Sequence, residues 1–588
     1  MDRSTAGALA TPEAGEAPAF SAWLDDFFTS YHRHRPVNAT FIGVHEHADR
    51  LPDYSESGVG DVLADAEALL GRLRGLPPEP LGLSQRLDRR LAEGFLRIQR
   101  WEYDSAHFRW ANPSLYTGEA IFGVLALLLW NFAPLARRLD HATARLDAVP
   151  HLLAQARETV RSAPAAWAER ARRECAAAIQ LFGAGVDQLL AEQGVEHHRW
   201  RVAADTAMRA FDTFRYYLES ELLPRATDAY ACGAETFALL LRDGHALEVK
   251  ASKLEALALE QMAEAEASLV AGAAGRGAAT WPEAIAQLAE AHPPAERYYA
   301  RFGEVWLEAR AAADAHRLVT LPDWPVRYIP QPSWVRAATP SLYFLAYRSP
   351  PPLDPPSAVD YFVPPIEADD PAEHQRRLRA TNDSVIKLSH VVHHGGIGHH
   401  VQNWHAAQAA SQIGRVAAVD CASRIAMLCG GTMAEGWACY ATDLMDEVGF
   451  LTPLERYAQQ HARLRMAARA VVDIRLHHGR LSLEEAAAFY RDRVAMAPRA
   501  ARAEAVKNSL FPATASMYLA GWDGIRRLRG TLEAREGSGF SLQRFHDRLL
   551  SFGSVPVALV AHAMLDTVAP ATPSVPPTVV AGRERTRR

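Results

Sequence analysis

No Cys-x-x-Cys pair occurs in this 588-residue sequence, and its five cysteines, Cys175, Cys232, Cys421, Cys429 and Cys439, are odd in number. That excludes a paired-thiolate zinc motif and argues against a disulfide framework, so reduced thiols in a cytoplasmic protein are expected. The intervals of eight and ten residues between the last three fit no zinc pattern either, and buried packing thiols are the simpler reading. Charge of one sign is also scarce. A net charge of −6 gives no general attraction for nucleic acid, and none is expected as a partner. Long hydrophobic runs are missing too. The most apolar stretch, IFGVLALLLWNFAPLA from Ile121, falls short of the roughly 20 residues a membrane span needs and carries Asn131 and Pro134. It reads as a buried core helix, with no membrane as partner. The first twenty residues place Pro and Glu where a secretory signal has its apolar core, which again favours a cytoplasmic location.

What is abundant is helical pattern. Apolar residues make up 49% and charged residues 22%, the balance of an ordinary globular protein. The segments AVPHLLAQARETVRSA, AMRAFDTFRYYLESELL and LEVKASKLEALALEQMAEAEASLVAGAA repeat apolar residues at helical spacing, with Ala, Leu, Glu and Arg between them. SLEEAAAFYRDRVAM opens on Ser482 with Glu485 three residues on, the pattern of a capping box. Between about Leu318 and Pro371 the chain turns rich in Pro, Tyr and Val, and the stretches SLYFLAY and AVDYFV read as short strands. The sequence therefore predicts disordered tails over 1–20 and 570–588. Between them it predicts one mainly α domain, 21–569, with a small β element just ahead of a histidine-rich stretch.

That stretch, SHVVHHGGIGHHVQNWHA over residues 389–406, holds six histidines and no acid. Neutral imidazole is the commonest protein ligand for zinc, but a hydrolytic zinc site also keeps a carboxylate to take a proton from water. On a regular helix His390 and His394 share a face, as do His393 and His400, while residues six apart lie roughly 240° from each other. Gly395, Gly396 and Gly398 weaken a helix here, and an unwound turn would bring His393 and His399 together. Further on, MAEGWACYATDLMDEVGF offers Glu435, a carboxylate from a second helix that could complete a three-ligand site. The GGIG run lacks the preceding strand and the following Gly-Lys-Ser/Thr of a phosphate loop. His477 lies near a helix end, where a histidine can simply favour the dipole. Tyr518, in TASMYLAGW, could by itself be core packing. Arg465 or Arg469 in HARLRMAARA could anchor a substrate carboxylate.

Taken together, HHGGIGHHVQ from His393, EGWACY from Glu435, RYAQQHARLRMAARAVVDIRLH ending at His477 and FPATASMY ending at Tyr518 resemble the bacterial "domain of unknown function 885" family, which is similar to gluzincin-type zinc metallopeptidases. The resemblance spans nearly the whole chain and implies a large helical, zincin-like fold. It implies metal ligands at His393, His399 and Glu435, with His400 as a possible further ligand; His390, from its face shared with His394, is another. It puts Gln402 and Trp437 around them, and Tyr518 or His477 as oxyanion stabilisers. The chain departs from the family pattern at two positions: His394 stands where the family has the general-base Glu, and Ile397 where it has Pro. Histidine can also carry protons near neutral pH. The resemblance therefore implies a metal-dependent hydrolase of the metallopeptidase type. Its cofactor would be a divalent ion, expected to be zinc, its substrate a peptide or small amide, and His394 would be the proton shuttle. The alternatives are a non-hydrolytic metalloenzyme with an expanded histidine site and a catalytically silent metal- or peptide-binding protein.

Overall fold

The computed structural model describes residues 17–77, 80–342, 346–347, 349–417 and 428–567. Helices dominate, as the periodicity predicts. The three segments singled out for helical spacing fall in Leu135–Thr159, His198–Tyr217 and Ala251–Ala273. The predicted capping box closes at Ser482 and Glu485, and a second one closes at Thr452 and Glu455. The first helix starts at Pro18, so residues 18–20 are helical rather than part of a disordered tail. The predicted C-terminal tail lies outside the described residues.

Two hydrophobic cores organise these helices. The first 220 or so residues supply most of one, built around Pro113–Leu129; the apolar run from Ile121 is buried as far as Leu128, and its second half leaves the helix after Leu129 and is partly exposed. No described helix is long and apolar enough to cross a membrane. The second core joins the N-terminal helix to the C-terminal half, and it carries the histidine stretch. Of the cysteines, Cys175 and Cys429 are buried and Cys232 and Cys439 half-buried, all four unbonded; Cys421 lies outside the described residues.

The β element is a parallel pair, β1 (Val326–Pro330) and β2 (Val359–Val363), in register from Val326 opposite Val359 to Pro330 opposite Val363. AVDYFV thus forms β2. Its partner is VRYIP. The predicted strand SLYFLAY is not found where it is described: Ser341 ends a 3-10 turn, Thr339–Ser341, residues 343–345 lie outside the described residues, and Tyr347 makes an isolated bridge to Tyr361. In-register Tyr328 and Tyr361 lie with ring centroids 4.8 Å apart, and both touch His390. The strand pair therefore buttresses the histidine stretch from one side.

Five helices and one short π-helical segment meet around a single cavity. They are the π-helix Ile386–Gly396, then His399–Ala406, Leu428–Glu447, Pro453–His477, Pro498–Leu510 and Ser516–Glu536. Leu428–Glu447 and Ser516–Glu536 pack at backbone distance where Gly436 crosses Gly521, and a Cβ on either glycine would run into the other helix.

Candidate metal centre

The chain reaches the centre through a break in helical geometry. Asn382 caps the start of the approach by accepting from the amide of Val385, and the backbone then widens into π-helix through Gly396. Such i→i+5 segments are rare and gather at functional sites. At Gly398 the backbone leaves the helix (φ −78°, ψ −120°), and a new helix starts on His399. A Cβ at Gly398 would collide with the carbonyl of His393, so this reversal requires glycine. It places the His393 and His399 rings with centroids 4.8 Å apart and nearly perpendicular. The predicted unwound turn is present.

Two indoles hold that turn. Trp437 donates to the carbonyls of Ile397 (2.8 Å) and Gly398 (3.1 Å), and Trp306 donates to the carbonyl of Gly395 (2.7 Å). Trp437 is fully buried and sits two residues beyond Glu435 on the same helix. The Glu-Gly-Trp sequence therefore does three things: it delivers a carboxylate, allows the Gly436–Gly521 crossing, and pins the histidine turn.

Glu435 Oε2 lies 3.4 Å from His393 Nε2 and 3.5 Å from His399 Nε2. These contacts are long for hydrogen bonds, and Oε2 is a buried oxygen without a conventional hydrogen-bond partner among the described residues. Such an orphan costs about 1–3 kcal/mol unless something else satisfies it. Ligand atoms held at about 2.0–2.2 Å around a tetrahedral ion are separated by about 3.3–3.6 Å. The donor set and its spacing therefore fit a divalent cation such as zinc. Burial disfavours the charge on Glu435, yet His399 and His393 beside it hold its carboxyl well below the usual range. Burial also lowers the pKa of His393, leaving a neutral imidazole, the form that binds metal.

His394 belongs to the same cluster: donor atoms of His393, His394 and His399 all lie within 4.8 Å of one another. Its Nδ1–H donates to the carbonyl of Ser389 at 2.5 Å, which fixes the tautomer and leaves Nε2 as the basic nitrogen. Burial and the neighbouring His393, His399 and His390 hold its pKa well below normal.

Other expected site residues fare differently. Tyr518 lines the cavity, its ring 5.0 Å from the Arg469 guanidinium. His477 does not line it, which corrects its expected catalytic role. It is fully buried, donates from Nε2 to the Asn508 carbonyl at 2.9 Å and packs against the rings of His107 and Phe237. Its helix faces the cavity at Arg465 and Arg469 and has rotated away two turns later. His400 and His390 also stand outside the cluster. His400 donates from Nε2 to the Trp324 carbonyl at 2.8 Å and is fully buried. His390 lines the cavity wall, but its Nδ1 meets the Tyr361 hydroxyl at 2.5 Å. Gln402 lines the cavity while its amide nitrogen donates to Ser554 at 2.7 Å.

Several further residues build the cavity wall. Asp473 accepts from the amides of Ala513 and Ser516 and from the Ser516 hydroxyl, anchoring the helix that carries Tyr518. Burial raises its pKa to about 7 against those hydrogen bonds. Glu504 grips Arg469 at 2.7 Å, and Asp443 grips Arg463 at 2.7 Å, both pairs in the cavity wall. Glu504 lies outside the stretches singled out from sequence, whereas Asp443 falls in MAEGWACYATDLMDEVGF and Asp473 in RYAQQHARLRMAARAVVDIRLH. The cavity itself has a volume of about 430 Å³.

A family model described as "Bacterial protein of unknown function (DUF885)" matches residues 36–564. No curated protein matches the chain. Among solved structures, a "putative lipoprotein of unknown function" from Shewanella oneidensis shares the fold with a TM-score of 0.75 and 20% identity, over 93% of this chain and 99% of that one. A "putative lipoprotein" from Colwellia psychrerythraea does so with a TM-score of 0.74 and 17% identity, over 94% and 99%. Both are called lipoproteins, and on that finding the expected cytoplasmic location is corrected.

Proposed function

The chain belongs to the DUF885 family of bacterial proteins of unknown function, and we propose that this member is a metal-dependent hydrolase of the metallopeptidase type with a gluzincin-like, zincin-like site. The observation that carries the reading is the meeting of His393, His399 and Glu435 at ligand-to-ligand spacing, with Glu435 Oε2 otherwise orphaned, on the wall of a 430 Å³ cavity. These three residues would hold the ion. When bound, it supplies the Lewis acidity that lets water act as a nucleophile at neutral pH. His394 Nε2 accepts the proton of the attacking water and returns it to the departing nitrogen, the task of the glutamate in gluzincin-type metallopeptidases. Tyr518 faces the cavity from the opposite helix and donates to the oxyanion. The cavity admits a small peptide or amide and excludes a folded chain.

A second reading has its own support. His394 lies within the three-histidine cluster, and as a fourth ligand it would make a histidine-rich site suited to iron or manganese as well as zinc. The test is metal content and hydrolysis together. Purified protein loaded with zinc should hold one ion per chain by elemental analysis, with Glu435→Gln and His399→Ala losing it. The loaded wild type should release amines from a mixture of short peptides. Protein that takes up no ion sinks both readings. A bound redox-active metal without hydrolysis supports the second.

A further inference from the structure

Four cationic side chains face the cavity: Arg463, Arg465, Arg469 and Lys507, against the carboxylates Glu435, Asp443 and Glu504. Arg463 is answered by Asp443, which also accepts from Gln459 and the Trp522 indole. Arg469 is answered by Glu504. Arg465 differs. Among the described residues it makes no hydrogen bond and no ion pair, although its side chain is open to the cavity. Burial and the like charge of Arg469 work against its cation, yet a guanidinium stays protonated in proteins. A planar cation with five donors, held in a cavity with a surplus of positive charge, is complementary to a carboxylate.

We propose that Arg465 anchors a free C-terminal carboxylate, so that the site takes short peptides and N-acyl amino acids by that end. The inference rests on the hydrolase reading of the metal centre and names its substrate class. Arg465 and Arg469 lie one turn apart on Pro453–His477, about 6 Å along the axis. Arg469 and Arg465 both act electrostatically on Cys439, one turn past Glu435 on the facing helix, and Arg469 acts on His393 as well. Arg465 thus stands in the wall of the same cavity as His393, His399 and Glu435. The bond presented to the ligand group is then an amide close to the anchored end. Its cleavage consumes one water, breaks the C–N bond, and yields a new carboxylate and a free amine, with no further reactant.

Calorimetry on the zinc-loaded protein tests this with N-acetyl dipeptides and their C-terminal amides. The wild type should bind the acids at least tenfold more tightly than the amides. Arg465→Met should reduce that ratio to within twofold while keeping its zinc stoichiometry and helical circular dichroism, and Arg465→Lys should keep part of it. Acids and amides bound equally by the wild type, neither bound at all, or a discrimination that survives Arg465→Met each overturns the proposal. Discrimination without cleavage would count against the hydrolase reading alone and leave the anchor standing.

Discussion

The Glu504–Arg469 pair is the sharpest place to test how this cavity wall is built. Glu504 is mostly buried, with a side-chain exposure of 14%. Burial alone would raise its pKa, but Arg469 holds it down at about 2 against an ordinary 4.5. The unfolded chain therefore binds this proton more readily than the folded one, and the stabilisation is complete above the unfolded value and lost as pH falls from 4.5 towards 2. A difference of about 2.5 in pKa, at about 1.4 kcal/mol each, gives about 3 kcal/mol at pH 7. The same linkage leaves about 2 kcal/mol at pH 3.5. Glu504→Gln also leaves a buried guanidinium without its anion, a change that costs about 3–5 kcal/mol where it has been measured. Urea unfolding followed by tryptophan fluorescence should show the variant about 3 kcal/mol less stable at pH 7, with the gap narrowing at pH 3.5. A gap below 1 kcal/mol at pH 7, or one that stays constant with pH, would refute the reasoning. It would mean that water in the cavity screens the pair.

His394→Ala should lower peptide turnover about 10²–10⁴-fold while zinc affinity changes less than tenfold. A fall of more than about 100-fold in zinc affinity, read by chelator competition, would instead make His394 a ligand. His394→Glu, which supplies the glutamate of a gluzincin-type site, should recover turnover that His394→Ala loses. Gly398→Ala forces a methyl against the His393 carbonyl, so it should cost about 1–3 kcal/mol of stability. It should also weaken zinc binding about 10–100-fold, and unchanged zinc affinity would show that the turn does not set the ligand spacing.

Much of this was legible in the sequence, for reasons that are physical. Helix periodicity, the Ser482 capping box and the glycine-weakened turn between His393 and His399 are local effects, and local effects can be read from neighbouring residues. The π-helix was not legible, because nothing in IKLSHVVHHGG favours i→i+5 over i→i+4 bonding. Nor was the pairing of VRYIP with AVDYFV, which joins strands whose first residues are 33 positions apart and depends on what packs over them. His477 misled because a regular helix turns about 40° between i and i+4, so eight residues beyond Arg469 the side chain points into the core. Arg465 and Arg469 were legible only as alternative carboxylate anchors, and tertiary structure separates the one paired with Glu504 from the one that has no ion pair among the described residues.

The two tryptophans that grip the histidine turn have a consequence for how this site could change over time. Because Trp306 and Trp437 satisfy the carbonyls of Gly395, Ile397 and Gly398, the turn draws its shape from its scaffold and owes little to the residue at 394. A side chain there can be exchanged without unmaking the pocket, as a tool is swapped in a fixed holder. On the proposed reading, that freedom would let one architecture try a new proton carrier while keeping its grip on the ion.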